Sequence, residues 1–146
     1  VDGPRAWELL SRSLPGTWLR EAVPGRPAFH VSYRLISNGS ALVEVWGVSS
    51  ARETETVFHA DHAEVLLTHY CAQGNQPRLR AVGLSDDSVE FRFKDVTNKA
   101  PDQDMLIQRT LRFGKDTLQI TEVYRRADGT DATTVHHFVK VPPTAS

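Results

Sequence analysis

The sequence has almost no sulfur: one cysteine, Cys71, and one methionine in 146 residues. A lone thiol excludes an intrachain disulfide framework and a multi-thiolate zinc centre. Charge of one sign is also missing, because 17 Lys and Arg are interspersed with 18 Asp and Glu for a net charge of -1. The field that draws a protein onto a phosphate backbone or an anionic membrane is therefore absent, and no nucleic-acid partner is expected. No run approaches the roughly 18 apolar residues of a membrane span. The opening VDGPRAWELL lacks the charged segment followed by an apolar stretch that marks a leader. Also missing are a G-x-S-x-G elbow, a glycine-rich phosphate loop and an H-E-x-x-H pair, so three common catalytic frameworks have no carrier here.

What remains is ordinary globular material. With 40% hydrophobic and 24% charged residues in 146 positions, one domain over 1–146 is expected, soluble and able to fold alone. One helix stands out over 4–13, with Pro4 in the first turn, Asp2 or Gly3 as cap, and Ala6, Trp7, Leu10 and Leu14 at helical spacing before Pro15-Gly16. From Gly16 on, the pattern has period two. Strands are expected at 17–21, 28–36, 41–48, 53–60, 63–71, 77–83, 88–96, 105–113, 117–126 and 131–141, with the tail 142–146 disordered. Ten sequential antiparallel strands leave two raw edges unless the sheet closes. The expected fold is all-β, a closed up-and-down antiparallel barrel of about ten strands with the short N-terminal helix covering one end.

Tight turns fix register, and register decides which side chains share a face. A two-residue turn at Asp128-Gly129 sets Tyr124 opposite Thr133, Glu122 opposite Val135, Ile120 opposite His137 and Leu118 opposite Val139. The turn at Gly114-Lys115-Asp116 sets Phe113 against Leu118, Leu111 against Ile120, Arg109 against Glu122 and Ile107 against Tyr124. Phe91, Phe93 and Asp95 continue that face. The Asn38-Gly39 turn puts Val31, Tyr33, Leu35, Leu42, Glu44 and Trp46 on one side, and Asp61-His62 does the same for Thr54, Thr56, Phe58, Val65, Leu67, His69 and Cys71. The interior so drawn holds Tyr33, Glu44, His69, Asp95, Arg109, Glu122, Tyr124 and His137 among apolar neighbours. Buried charge persists when paired, solvated or used by a ligand, so the reading is either a satisfied Arg109–Glu122 pair or a cavity lined by convergent polar groups.

Gly16-Thr17-Trp18, after a short amphipathic helix, resembles the G-x-W signature of lipocalins and other calycins. That resemblance implies a Trp18 closing the barrel base under a basic residue from a late strand, Lys140 or Arg126. The stretch LTHYCAQGNQPR, Leu67 to Arg78, with VSYRLISNGSALVE upstream, is similar to uncharacterised lipocalin-like bacterial domains of the DUF1579 group, over Trp18 to Val141. It implies the fold and no chemistry. Compartment stays open between the bacterial cytoplasm and a secreted or periplasmic location reached after leader removal.

The leading functional reading is a barrel that binds a small hydrophobic or amphipathic molecule, without cofactor or metal. Its candidate ligand-binding residues are Tyr33, Glu44, Trp46, His69, Arg78, Phe93, Arg109, Glu122, Tyr124 and His137, with His69, Gln76 and Arg78 ringing the mouth. The alternative is a cofactor-free acid–base enzyme of isomerase or cyclase type, with His137 beside Glu122, Arg109 holding an anionic group and Tyr33 or Tyr124 donating a proton. A third is a haem-binding calycin, since His137 is loosely comparable with the haem ligand of nitrobindin. A metal site would need His69 and His137 to converge with Glu44 or Glu122, and none is expected.

Overall fold

A computed structural model describes residues 1–47 and 50–143. The helix α1 spans Gly3–Ser13; Asp2 caps it by accepting the Arg5 amide at 3.1 Å. Pro4 sits in its first turn, and Ala6, Leu9 and Leu10 bury its inner face. Strands lie at β1 Gly16–Arg20, β2 Phe29–Ile36, β3 Ala41–Trp46, β4 Thr54–Asp61, β5 Glu64–Tyr70, β6 Gln76–Leu84, β7 Ser88–Thr97, β8 Met105–Gly114, β9 Thr117–Arg125 and β10 Asp131–Lys140. All neighbours are antiparallel, and β1 closes on β10, giving a closed ten-stranded up-and-down barrel consistent with a calycin-like fold. The expected last residue of the third strand, Val48, and positions 144–146 of the expected tail lie outside the described residues. Among the described residues no helix is long and apolar enough to cross a membrane.

Trp18 shows why one end is shut. Its indole donates to the Leu14 carbonyl at 2.9 Å, so the helix C-terminus and the first strand are tied together. Lys140, its partner across β1 and β10, places Nζ 4.8 Å from the ring centroid and donates to the Pro15 carbonyl at 2.8 Å. Lys140 therefore takes the place beside Trp18; Arg126 lies at the other end, bonded to Thr130. Gly16 has φ +124°, and a side chain there would also meet the Lys140 stem at 3.0 Å. Below this seal Leu10, Leu14, Val31, Leu42, Phe58, Leu67, Phe91 and Leu111 fill the helix-side half of the barrel.

The register of most hairpins agrees with the turn chemistry. Tyr33 faces Glu44, Thr56 faces His69 and Arg109 faces Glu122. The β9–β10 hairpin differs. Arg126 N–H bonds the Thr130 carbonyl at 2.7 Å and Gly129 N–H bonds the Arg126 carbonyl at 2.9 Å, so the loop Ala127–Gly129 has three residues, the last at φ +88°. One extra loop residue moves the register by one. Tyr124 now faces Ala132, Glu122 faces Thr134, Ile120 faces His136 and Leu118 faces Phe138. His137 and Val135 consequently point outward and are exposed, and His136 points in.

Two bulges make the remaining differences. Between Leu106 and Gln108 the ladder skips a residue, so Leu106 rather than Ile107 opposes Tyr124. Between Arg78 and Leu79 the partners step from Asp95 to Phe93, and Phe93 ends 37% exposed in a shallow surface groove with Ile107 and Arg125. Arg78, next to the buried Leu79, stands on the outer face and bonds Asp95 at 2.7 and 2.5 Å.

Candidate functional site

Above the apolar half of the barrel lies a layer of polar side chains set by strand register. Tyr33, Glu44, Thr56 and His69 are successive cross-strand partners on β2, β3, β4 and β5, and all four are buried. Adjacent strands with matched residues on one face produce such a belt. On the opposite wall, Arg109 of β8 and Glu122 of β9 are partners. Arg109 crosses the barrel: its two terminal nitrogens reach the two oxygens of Glu44 at 2.9 and 3.1 Å, 65 positions away in sequence. Its Nε and one terminal nitrogen also donate to Glu122 Oε2, at 3.1 and 2.9 Å. Tyr33 donates to Glu44 Oε2 at 2.7 Å.

The guanidinium is 1% exposed and Glu44 is fully buried. Burying three formal charges costs several kcal/mol per ion before their mutual attraction offsets it. The two flanking carboxylates hold Arg109 protonated, against its burial. Burial raises the Tyr33 hydroxyl well above its usual range, with Glu44 adding to the effect, so Tyr33 stays a donor.

On this layer opens a cleft of about 430 Å³ at the end of the barrel away from α1. Arg109, Glu122, His69 and Tyr124 form its inner surface; Phe29, Trp46 and His136 form one wall, and Arg52, Ala72 and Gln73 lie at the rim. Trp46 is 5.2 Å from Phe29 and 5.1 Å from His136, ring centre to ring centre. Arg109 lies 5.7 Å from the Trp46 ring. His69 shares a hydrogen bond of 2.8 Å with Thr56 and reaches Tyr124 at 3.5 Å. Burial, with the Arg109 charge, lowers the His69 pKa to about 3; burial, with Arg20 and Arg109, lowers His136 to about 4. Both imidazoles are neutral at pH 7. Burial pushes up the Tyr124 hydroxyl and the Cys71 thiol, so the cleft offers no thiolate.

Of the residues the sequence singles out, Tyr33, Glu44, Trp46, His69, Arg109, Glu122 and Tyr124 come together in the cleft or directly beneath it. Arg78, Phe93, Asp95 and His137 do not. Gln76 is also away from the cleft, accepting from Thr97 at 2.8 Å and donating to the Gly74 carbonyl. Two residues of the cleft wall, His136 and Phe29, are not among those the sequence singles out. Phe29 carries a signal, since it continues the period-two face of Val31 and Tyr33; His136 requires knowledge of the three-residue loop.

A larger groove of about 690 Å³ runs along the outside, between Leu19–Val23 and the outer face of β10 with Val135, His137 and Val139. It contains none of the buried charges, and convergent buried polar groups mark a site better than volume does. The cleft is therefore the candidate. The haem reading loses its named ligand, since His137 is outside the cleft; His136, which takes its place, has Nε2 facing Glu122 Oε1 at 3.7 Å and its ring packed against Trp46, Phe29 and Phe138. Among the described residues no group of three His, Cys, Asp or Glu is placed to hold a metal ion. No family model matches the chain, and no curated protein matches it.

Proposed function

We propose that the protein is a small-molecule-binding barrel, acting as one domain, that takes an amphipathic ligand in the cleft above Arg109. One observation carries this reading. The barrel is packed with apolar side chains on the helix side, yet in its other half it maintains a buried guanidinium, two carboxylates and two neutral imidazoles around open space. A filled apolar interior would be at least as stable. Costly polar groups that converge on a cleft are the usual basis of ligand orientation. The seal of Trp18 under Lys140 and the helix over one end support a lipocalin-like barrel, while the likeness to bacterial domains of the DUF1579 group rests on sequence alone, the stretch Leu67 to Arg78 with VSYRLISNGSALVE upstream.

Native mass spectrometry of protein purified from its own host tests the reading. A retained adduct is expected, and it should be lost in Thr54→Trp, which adds bulk to the cleft wall. No adduct, together with no binding of a fluorescent apolar probe, overturns the proposal.

A second reading, acid–base catalysis without a cofactor, draws on the same cleft: neutral His136 and the protonated Tyr124 hydroxyl both border Glu122. Turnover of the retained molecule that fails in both Tyr124→Phe and His136→Gln would favour it over simple binding.

A further inference from the structure

The carboxylate oxygens of the buried layer are not equally used. Glu44 Oε2 accepts from Tyr33 and Arg109, and Glu44 Oε1 accepts from Arg109. Glu122 Oε2 accepts twice from Arg109. Glu122 Oε1 accepts no hydrogen bond among the described residues; His136 Nε2, which it faces, is 3.7 Å away, beyond hydrogen-bond reach. Glu122 borders the cleft, so this oxygen is the unspent acceptor at its inner end. Formal charge points the same way. One guanidinium stands between two carboxylates, which leaves one negative charge uncompensated. Neither imidazole supplies the missing cation, because burial holds both neutral. Arg52 is on the exposed rim, and Arg20 is turned to the Pro27 carbonyl and the Phe29 ring, 4.3 Å from its centroid, with no ion pair to Glu122 among the described residues. The wall beside Glu122 is aromatic: Trp46, Phe29 and Tyr124. Aromatic faces attract a cation and accept a flat apolar body.

We infer that the cleft selects an organic cation, a protonated amine on an aromatic or otherwise flat apolar body, whose ammonium group donates to Glu122 Oε1 while its body lies against Trp46. The inference rests on the ligand-binding reading of the cleft and names the head group that reading leaves open. The ammonium completes the charge of the Glu44–Arg109–Glu122 cluster. An anionic head group would meet the same oxygen as a like charge in a poorly screened site.

Calorimetric titration with tryptamine, tryptophol and indole-3-acetate tests it, since the three share one body and carry a cationic, neutral and anionic head group at pH 7. The expected order is tryptamine, then tryptophol, then indole-3-acetate, with at least tenfold between the first and second. Glu122→Gln should erase the preference for tryptamine over tryptophol. If that variant does not fold, as circular dichroism would show, the order on the unsubstituted protein decides alone. Equal affinities, a preference for indole-3-acetate, or an amine preference that survives in folded Glu122→Gln overturns the inference and leaves the cleft reading standing. Binding of none of the three also overturns it; a host-derived adduct in the mass spectrum then preserves the cleft reading, and no adduct removes both.

Discussion

Arg109 and Glu44 are joined by two parallel hydrogen bonds of 2.9 and 3.1 Å across the barrel interior, from strands β8 and β3 that share no edge. The contact makes the guanidinium a strut between opposite walls. It also makes Arg109 common to two ion pairs, with Glu44 and with Glu122, both of them almost wholly out of water. Removing one member of such a cluster leaves a charge without a partner.

Urea unfolding should therefore show strong coupling within the cluster. Arg109→Met leaves two carboxylates facing each other and is expected to cost about 3–5 kcal/mol. Adding Glu44→Gln and Glu122→Gln to it should recover a large part of that loss, because no uncompensated charge remains. Simple additivity of the three substitutions would contradict the geometry.

How far the sequence carries is clear from these same residues. Arg109 opposite Glu122, and Tyr33 opposite Glu44, are legible because the turns at Gly114–Asp116 and Asn38-Gly39 fix neighbouring strands. The Arg109–Glu44 bond is not legible, since turn chemistry reports only on strands that share a hairpin, and closure of the barrel brings β3 toward β8. Bulges are the other source of loss. Each inserts one residue into one strand and reverses the facing of the residues beyond it, which is how Ile107 and Asp95 leave the interior pattern. Nothing in the residue types at those positions distinguishes a bulge from a regular pair.

Acid should weaken the fold through the buried His69 and the half-buried His136. In the unfolded chain a histidine binds its proton near pH 6.5; in the fold His136 binds one only at about 4 and His69 only at about 3. Between those limits the unfolded state holds more protons, so stability is full above about pH 6.5 and falls as the pH is lowered toward 4 and then 3. Each residue contributes a slope of up to about 1.4 kcal/mol per pH unit within its window. Unfolding measured at successive pH values should show this decline, flattened by His69→Gln. An unchanged slope in that variant would mean that His69 is not held neutral.

The sealed end makes a separate prediction. Trp18→Ala removes a ring that is 3% exposed, tied to Leu14 and covered by Lys140, and should cost on the order of 3–5 kcal/mol. Gly16→Ala should cost about 1–3 kcal/mol for a different reason, since its φ of +124° is closed to a side chain and the added carbon meets Lys140. A shift in the denaturation midpoint reads both. A Trp18 variant with an unchanged midpoint would mean that the helix and first strand do not close the barrel.

The last prediction separates two adjacent histidines. His136 and His137 are neighbours on a strand, so their side chains lie on opposite faces, and only the register of the β9–β10 hairpin decides which one enters the cleft. The three-residue loop Ala127–Gly129 selects His136, whose ring meets Trp46 at 5.1 Å; a two-residue turn would select His137 and send Phe138 into solvent. Phe138 is 2% exposed and packs against Trp46 at 5.5 Å, so the apolar face of β10 agrees with the longer loop. In a Cys71→Ser background, His137→Cys should react with a bulky thiol reagent at the rate of an exposed cysteine. His136→Cys should react at least about tenfold more slowly, because its position lies against the Trp46 wall. His137→Ala should leave stability within about 0.5 kcal/mol, as surface changes do. His136→Ala should lose on the order of 1–3 kcal/mol with the aromatic contacts it gives up. The reverse order of labelling would return His137 to the interior and move the aromatic wall of the cleft with it.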